Sequence, residues 1–234
     1  MAVSPTGQIV VADQASIRVF DTALGLLSVI AGNLSVGVAP APAPSGSVAL
    51  GAPIGPVNAL HIDNRTGDVY FLEGTATIRV IRAGGPTAGL ITTIAGTGAS
   101  SPAVVGALAT ETGFSDIYDV CTTPGGDVII AENDNFRSPR VLRVSARDGR
   151  VSVVAGDGAT VLSDAFAHAE NYFASGAPAT TPLLGATAVY ASPSGVVYFA
   201  DNFRLVRADP VNGTLTVLAG QVGRGDGVWG RGWR

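Results

Sequence analysis

Leu27-Ser28-Val29-Ile30-Ala31-Gly32, Ile91-Thr92-Thr93-Ile94-Ala95-Gly96, Val151-Ser152-Val153-Val154-Ala155-Gly156 and Leu215-Thr216-Val217-Leu218-Ala219-Gly220 are four versions of one short apolar segment, each closed by Ala-Gly. Their final glycines lie 64, 60 and 64 residues apart. Recurrence at a nearly fixed spacing marks a repeat architecture and takes precedence over any local reading.

Working upstream, each unit holds a turn: Ser4-Pro5-Thr6-Gly7, Asn64-Arg65-Thr66-Gly67, Thr123-Pro124-Gly125-Gly126 and Ser192-Pro193-Ser194-Gly195. A small polar residue first, Pro second in three of the four and Gly fourth predicts type I turns. An apolar run ending in an acid follows: Ile9-Val10-Val11-Ala12-Asp13, Val69-Tyr70-Phe71-Leu72-Glu73, Val128-Ile129-Ile130-Ala131-Glu132 and Val197-Tyr198-Phe199-Ala200-Asp201. These read as fully buried strands. A third segment carries an Arg among apolar neighbours, at Arg18, Arg79, Arg143 and Arg207, as half-buried strands do. Asp148-Gly149 and Asn212-Gly213 are hairpin signals joining that segment to the Ala-Gly strand. In the last three units a further strand comes first: Val57-Asn58-Ala59-Leu60-His61-Ile62, Ile117-Tyr118-Asp119-Val120-Cys121 and Ala186-Thr187-Ala188-Val189-Tyr190-Ala191. Each unit is a four-stranded antiparallel meander, a-b-c-d.

Such units at regular spacing, with no helix-period segment between them, predict an all-β chain and a β-propeller of about four blades. The blades span 1–32, 57–96, 115–156 and 186–220, followed by a Gly/Arg/Trp-rich tail at 221–234. The pattern resembles NHL repeats, in the variety whose strand d ends in Val-Ala-Gly and runs into a long Gly-rich connection. In that family strand b ends in Ala-Asp, with Asn-x-Arg before strand c. Ala200-Asp201-Asn202-Phe203-Arg204 fits this pattern, and Asn135-Phe136-Arg137 fits it partly; the family's histidine is absent from both. The resemblance covers nearly the whole chain and implies a fold more firmly than a function.

Composition narrows the classes. The 234 residues carry a formal charge of −4, with 14% charged residues and 31 glycines, which excludes a coiled coil or a disordered acidic tail. All 14 basic residues are arginine, and the balance gives no footprint for nucleic acid. Residues 22–60 are free of Lys, Arg and Glu, yet glycines and prolines break the stretch too often for a membrane helix, and no signal peptide is visible at Met1-Ala2-Val3-Ser4-Pro5. The lone Cys121 reads as a small buried hydrophobe.

NHL propellers commonly have six blades, whereas here three meanders are complete and the first has only Ala2-Val3 as strand a. The expectation is a partial ring, from a fragment or a truncated or misread gene product; the alternative is a four-bladed ring with an imperfect seam. An open piece exposes its end blades and is expected to self-associate. Meander geometry puts the b–c turns on one face, here called upper, with the long connections at roughly 33–56, 97–116 and 157–185. Long loops on a rigid frame commonly carry function. The candidate binding face is therefore Asp13, Glu73, Glu132, Asp201, Asn202 and Arg204. The four acids admit two readings: each caps its turn or pairs with the Arg of its own strand c, or together they form a carboxylate ring for a cation or basic peptide.

Catalytic signals are thin. His61 and His168 fall in different settings and make no zinc site, which needs three protein ligands and an open position. No nucleophile elbow, phosphate loop or paired carboxylate motif appears, and no cofactor is expected. Asn33-Leu34-Ser35, Asn64-Arg65-Thr66 and Asn212-Gly213-Thr214 would accept glycans in a secreted protein, and Arg224-Gly225-Asp226 matches an adhesion tripeptide that chance also produces. Trp229 and Trp233 have no physical account. The expected function is a non-catalytic scaffold binding a protein or peptide through the upper face. The alternative is a piece of a propeller lyase or hydrolase whose catalytic residues lie in further blades.

Overall fold

Among the described residues, apolar runs separated by turn residues fold into strands alone. A computed structural model describes residues 1–4, 6–33, 42–133, 139–158 and 175–220. Asn135-Phe136-Arg137, His168, the tail at 221–234, Leu34 and Ser35 of the first glycan triplet and part of each of two connections lie outside the described residues.

Blade one is β1 (Ala2–Val3), β2 (Ile9–Ala12), β3 (Ser16–Asp21) and β4 (Leu26–Gly32). Blade two is β5 (Ser47–Val48), β6 (Val57–Ile62), β7 (Val69–Glu73), β8 (Thr77–Ile81) and β9 (Leu90–Ala95). Blade three is β10 (Ile117–Thr122), β11 (Val128–Glu132), β12 (Arg140–Val144) and β13 (Val151–Ala155). Blade four is β14 (Ala177–Pro178), β15 (Ala186–Ala191), β16 (Val197–Asp201), β17 (Arg204–Asp209) and β18 (Thr214–Ala219). The four sheets are antiparallel and, among the described residues, form no closed ring.

Each blade presents alternate side chains to its two neighbours. Tyr70, Leu72 and Ile78 of blade two meet Ile117, Ile130 and Leu142 of blade three. Ile129 and Val141 of blade three meet Phe199, Val206 and Leu215 of blade four. Fully buried residues such as Phe71, Ile130 and Phe199 contribute about 1.5–3 kcal/mol each by leaving water. Strands b are fully buried in β7 and β11, as the apolar runs predict. In β2 and β16 they are not, because among the described residues one side of each end blade has no neighbour.

The Ala-Gly ending has a steric cause. Gly32, Gly96, Gly156 and Gly220 all have φ between +87° and +91°, and in each a Cβ would lie 2.0–2.6 Å from a backbone carbonyl oxygen at the start of strand c. Only glycine fits such a position. Just before it, at Ile30, Ile94, Val154 and Leu218, strand d carries a bulge in every blade. Strand a carries another at Asn58, Tyr118 and Thr187, which sets its first residue directly opposite the acid.

Two turn readings change in detail. The second unit's turn starts at Asp63, not Asn64: Gly67 N–H donates to Asp63 O at 2.8 Å, while the Asp63 carboxylate accepts from Arg65 and Thr66 N–H. Asp148-Gly149 and Asn212-Gly213 occupy the last two places of four-residue hairpin loops, where Gly149 and Gly213 N–H close on Ser145 and Asp209 O.

The long connections follow one path. Gly46, Gly106 and Gly176 donate to Ile91, Val151 and Leu215 O of the next blade's strand d. Three residues on, Ala49, Ala109 and Ala179 donate to Gly89, Gly149 and Gly213 O of that same blade. The carbonyls of these three alanines accept from Gly32, Gly96 and Gly156 N–H of the blade before. One peptide therefore ties two successive blades, and β5 and β14 line the outer edges of β9 and β18.

Candidate functional site

The acid ending strand b meets the residues just before strand a because the strand-a bulge places that junction opposite it. Glu73 Oε1 accepts from Gly55 N–H at 2.6 Å. Glu132 Oε1 accepts from Ala103 and Ser115 N–H, both at 3.0 Å. Asp201 Oδ1 accepts from Leu184 N–H at 2.6 Å and Gly185 N–H at 2.8 Å. The second oxygen of each takes an arginine: Arg79, Arg140 and Arg204 respectively. Arg79 and Arg140 also donate onward to Ala43 O and Ala103 O, so each pair clasps the incoming connection to the rim of its blade. All three pairs are buried.

Blade one differs. Asp13 accepts from Ala15 and Ser16 N–H, the Ser16 hydroxyl and Arg18, all within its own b–c hairpin, and its side chain is 49% exposed. The backbone N–H of Ala15 leads the influences that hold its carboxyl below the usual range.

The arginines of strand c are out of phase. Arg18 and Arg79 lie opposite the third residue of strand b, Val11 and Phe71, whereas Arg143 and Arg207 lie opposite the second, Ile129 and Tyr198. A one-residue step turns a side chain to the other face of the sheet. Glu132 and Asp201 thus pair with Arg140 and Arg204, directly opposite them, and Arg143 lies 3.6 Å from Asp127 at the far end of the blade.

Around this rim the exposed positions differ from blade to blade. The strand-a bulge presents Asn58 and Tyr118, with Thr187 half-buried at the same place in blade four, and the b–c turns present Gln14, Thr75 or Phe203. Asn202, at φ +56°, begins the two-residue turn that sets Phe203 outward, 54% exposed. An open cleft of about 620 Å³ lies beside blade two between Pro42–Ser45 and Gly74–Thr77, with Glu73 and Arg79 buried at its wall.

Inner strands are joined by side chains that cap the next blade's backbone. His61 Nε2 accepts Thr122 N–H at 3.2 Å and lies 2.9 Å from Thr122 Oγ1, so its proton sits on Nδ1. Asp119 Oδ2 accepts Val189 N–H at 3.0 Å, and burial pushes its carboxyl up. Cys121 is buried, with its thiol pushed up to about 12 by desolvation, and is inert at neutral pH. Among the described residues no three of His, Cys, Asp and Glu come together as a metal site, and no helix is long and apolar enough to cross a membrane.

Burial holds the His61 imidazole below its usual value. The unfolded chain therefore takes up a proton near pH 6.5, and the folded chain only at a lower pH. Stability from this group is complete above that pH and is lost as pH falls below it. Urea midpoints measured across this window are expected to fall on acidification, and His61→Gln is expected to flatten the slope; an unchanged slope overturns this assignment.

No protein-family model matches the chain, and no curated protein matches it in sequence. Solved structures do. A structural genomics protein of unknown function from Bacteroides thetaiotaomicron superposes with a TM-score of 0.55 at 16% identity, covering 94% of this chain and 47% of that one. An auxiliary nutrient binding protein from the same organism gives 0.54 at 10% identity, covering 90% and 44%. The neighbours are propeller-type folds. At such identity the likeness shows the fold alone, and the chain spans about half the length of these neighbours. A third, provisionally named a gluconolactonase, superposes with a TM-score of 0.48 at 13% identity, covering 88% of this chain and 56% of that one.

Sequence reasoning named Asp13, Glu73, Glu132 and Asp201, and the structure sets all four at the b–c rim, three of them within clasps. It named Arg204 and missed Arg140. It also missed the Gly-x-x-Ala step of the connections, although Gly46-Ser47-Val48-Ala49, Gly106-Ala107-Leu108-Ala109 and Gly176-Ala177-Pro178-Ala179 carry it in plain view.

Proposed function

We propose that this chain is a non-catalytic, NHL-like propeller scaffold that binds a protein or peptide through its upper face. The observation that carries the reading is the contrast along that rim. The buried acid and arginine recur in blades two, three and four, whereas the exposed residues beside them change: Asn58, Tyr118, Thr75, Phe203. A fixed frame displaying unlike side chains suits recognition of an extended partner, with aromatic residues as anchors.

The test is to pan a displayed peptide library against the full chain and measure the retained peptides by calorimetry. Tyr118→Ser combined with Phe203→Ser is expected to weaken them about tenfold or more, the scale of losing an anchor, with the melting temperature unchanged. Val211→Ser, in an exposed c–d loop on the opposite face, is expected to leave affinity intact. Equal affinity for the wild type and the double variant overturns the upper-face reading.

A further inference from the structure

Positions that are core inside the arc are open at its two ends. Leu27, opposite Phe20, is 56% exposed, whereas Ile91, Val151 and Leu215 at the same register position are 0, 2 and 0% exposed. Phe20 is 36% exposed where its counterparts Ile81, Val144 and Ala208 are buried. At the other end Leu205 is 44% exposed, against 0% for Ile17, Ile78 and Val141, and Ala219 is exposed where Ala31, Ala95 and Ala155 are fully buried.

The two open faces are of opposite kinds. That of blade four is the face by which blades one, two and three each meet their successor; that of blade one is the face by which blades two, three and four each meet their predecessor. We propose that they meet each other, so that blade four of one copy packs on blade one of a second copy, head to tail. The chain already builds this junction three times from the same register positions, and the association continues it once more. Charge is compatible. The Arg18–Asp13 pair of blade one occupies the places of Arg79–Glu73, a buried pair on the face that blade two turns toward blade one. Such a heterologous contact closes into a ring or runs on as a filament according to the rotation between copies.

Sedimentation equilibrium of the full chain, from micromolar to near-millimolar, is expected to show a mass rising above the 23.5 kDa of one copy. Leu27→Arg and Leu205→Arg are each expected to return the mass to one copy. Mixed in equal amounts they are expected to form a pair, because one intact junction remains between them. Circular dichroism checks that both variants fold; if either does not, Phe20→Glu and Ala219→Glu take their place in the same scheme. Three results overturn the proposal: a wild type that stays at one copy throughout, leaving the faces to blades of another chain; assembly insensitive to both variants; or assembly abolished by one variant alone, with no pair on mixing, which marks a symmetric contact of like faces.

Discussion

Gly96→Ala is expected to lower the unfolding free energy by about 3–5 kcal/mol, read from the urea midpoint. Two effects combine at this position. With φ at +91°, any side chain is strained, and the new methyl would lie 2.0 Å from Ala76 O and 3.1 Å from Thr77 Cα. Backbone cannot move aside as a flexible side chain can, so strand d must separate from the b–c turn it closes. The control is Gly25→Ala, with φ +67° and nothing within 4 Å of the added carbon, where only the conformational strain of about 1–2 kcal/mol applies. Equal losses in the two variants would show that the close approach is not what selects Ala-Gly in every blade.

Glu132→Ala is expected to be as damaging, by about 3–5 kcal/mol, because it leaves a buried guanidinium without its partner. The carboxylate satisfies Arg140 and two backbone donors, Ala103 and Ser115 N–H, and is wholly buried. Replacing both members of the pair, Glu132→Leu with Arg140→Met, is expected to recover much of the loss, since an apolar pair removes the stranded charge. Asp13→Ala, at the half-exposed counterpart in blade one, is expected to stay within about 1 kcal/mol. Amide exchange at Ala103 and Ser115 gives a second readout: it should quicken in Glu132→Ala and not in Asp13→Ala. Should the two substitutions cost the same, the clasp is not what holds the connection.

What was legible in the sequence is what local chemistry and regular spacing dictate. Apolar runs such as Val128–Ala131 announce strands, the Ala-Gly endings announce a repeat, and Ser192-Pro193-Ser194-Gly195 announces its own turn. The acid as partner of an arginine was within reach, but its partner was not, because alignment by apolar neighbours matched Arg143 with Arg79 although the two face opposite sides of their sheets. That distinction depends on register, which spacing alone does not set. The bulges at Asn58, Tyr118 and Thr187 were likewise hidden, for they exist only in relation to the strand alongside. The connections looked like irregular loops because their shared step fixes two residues in four and recurs at unequal distances.

The path of those connections defines where one module stops. All five strands of the second sheet, and both partners of its clasp, come from residues between Gly32 and Gly96, and the fourth sheet is likewise built wholly between Gly156 and Gly220. Nothing in a sheet is borrowed from the segment before or after it; the alanine peptide is the coupling between cars of a train. A gene segment cut at the Ala-Gly codons could therefore be duplicated or deleted in tandem, lengthening or shortening the arc by one blade without breaking a strand, which makes blade number the property of this architecture most open to change by unequal recombination.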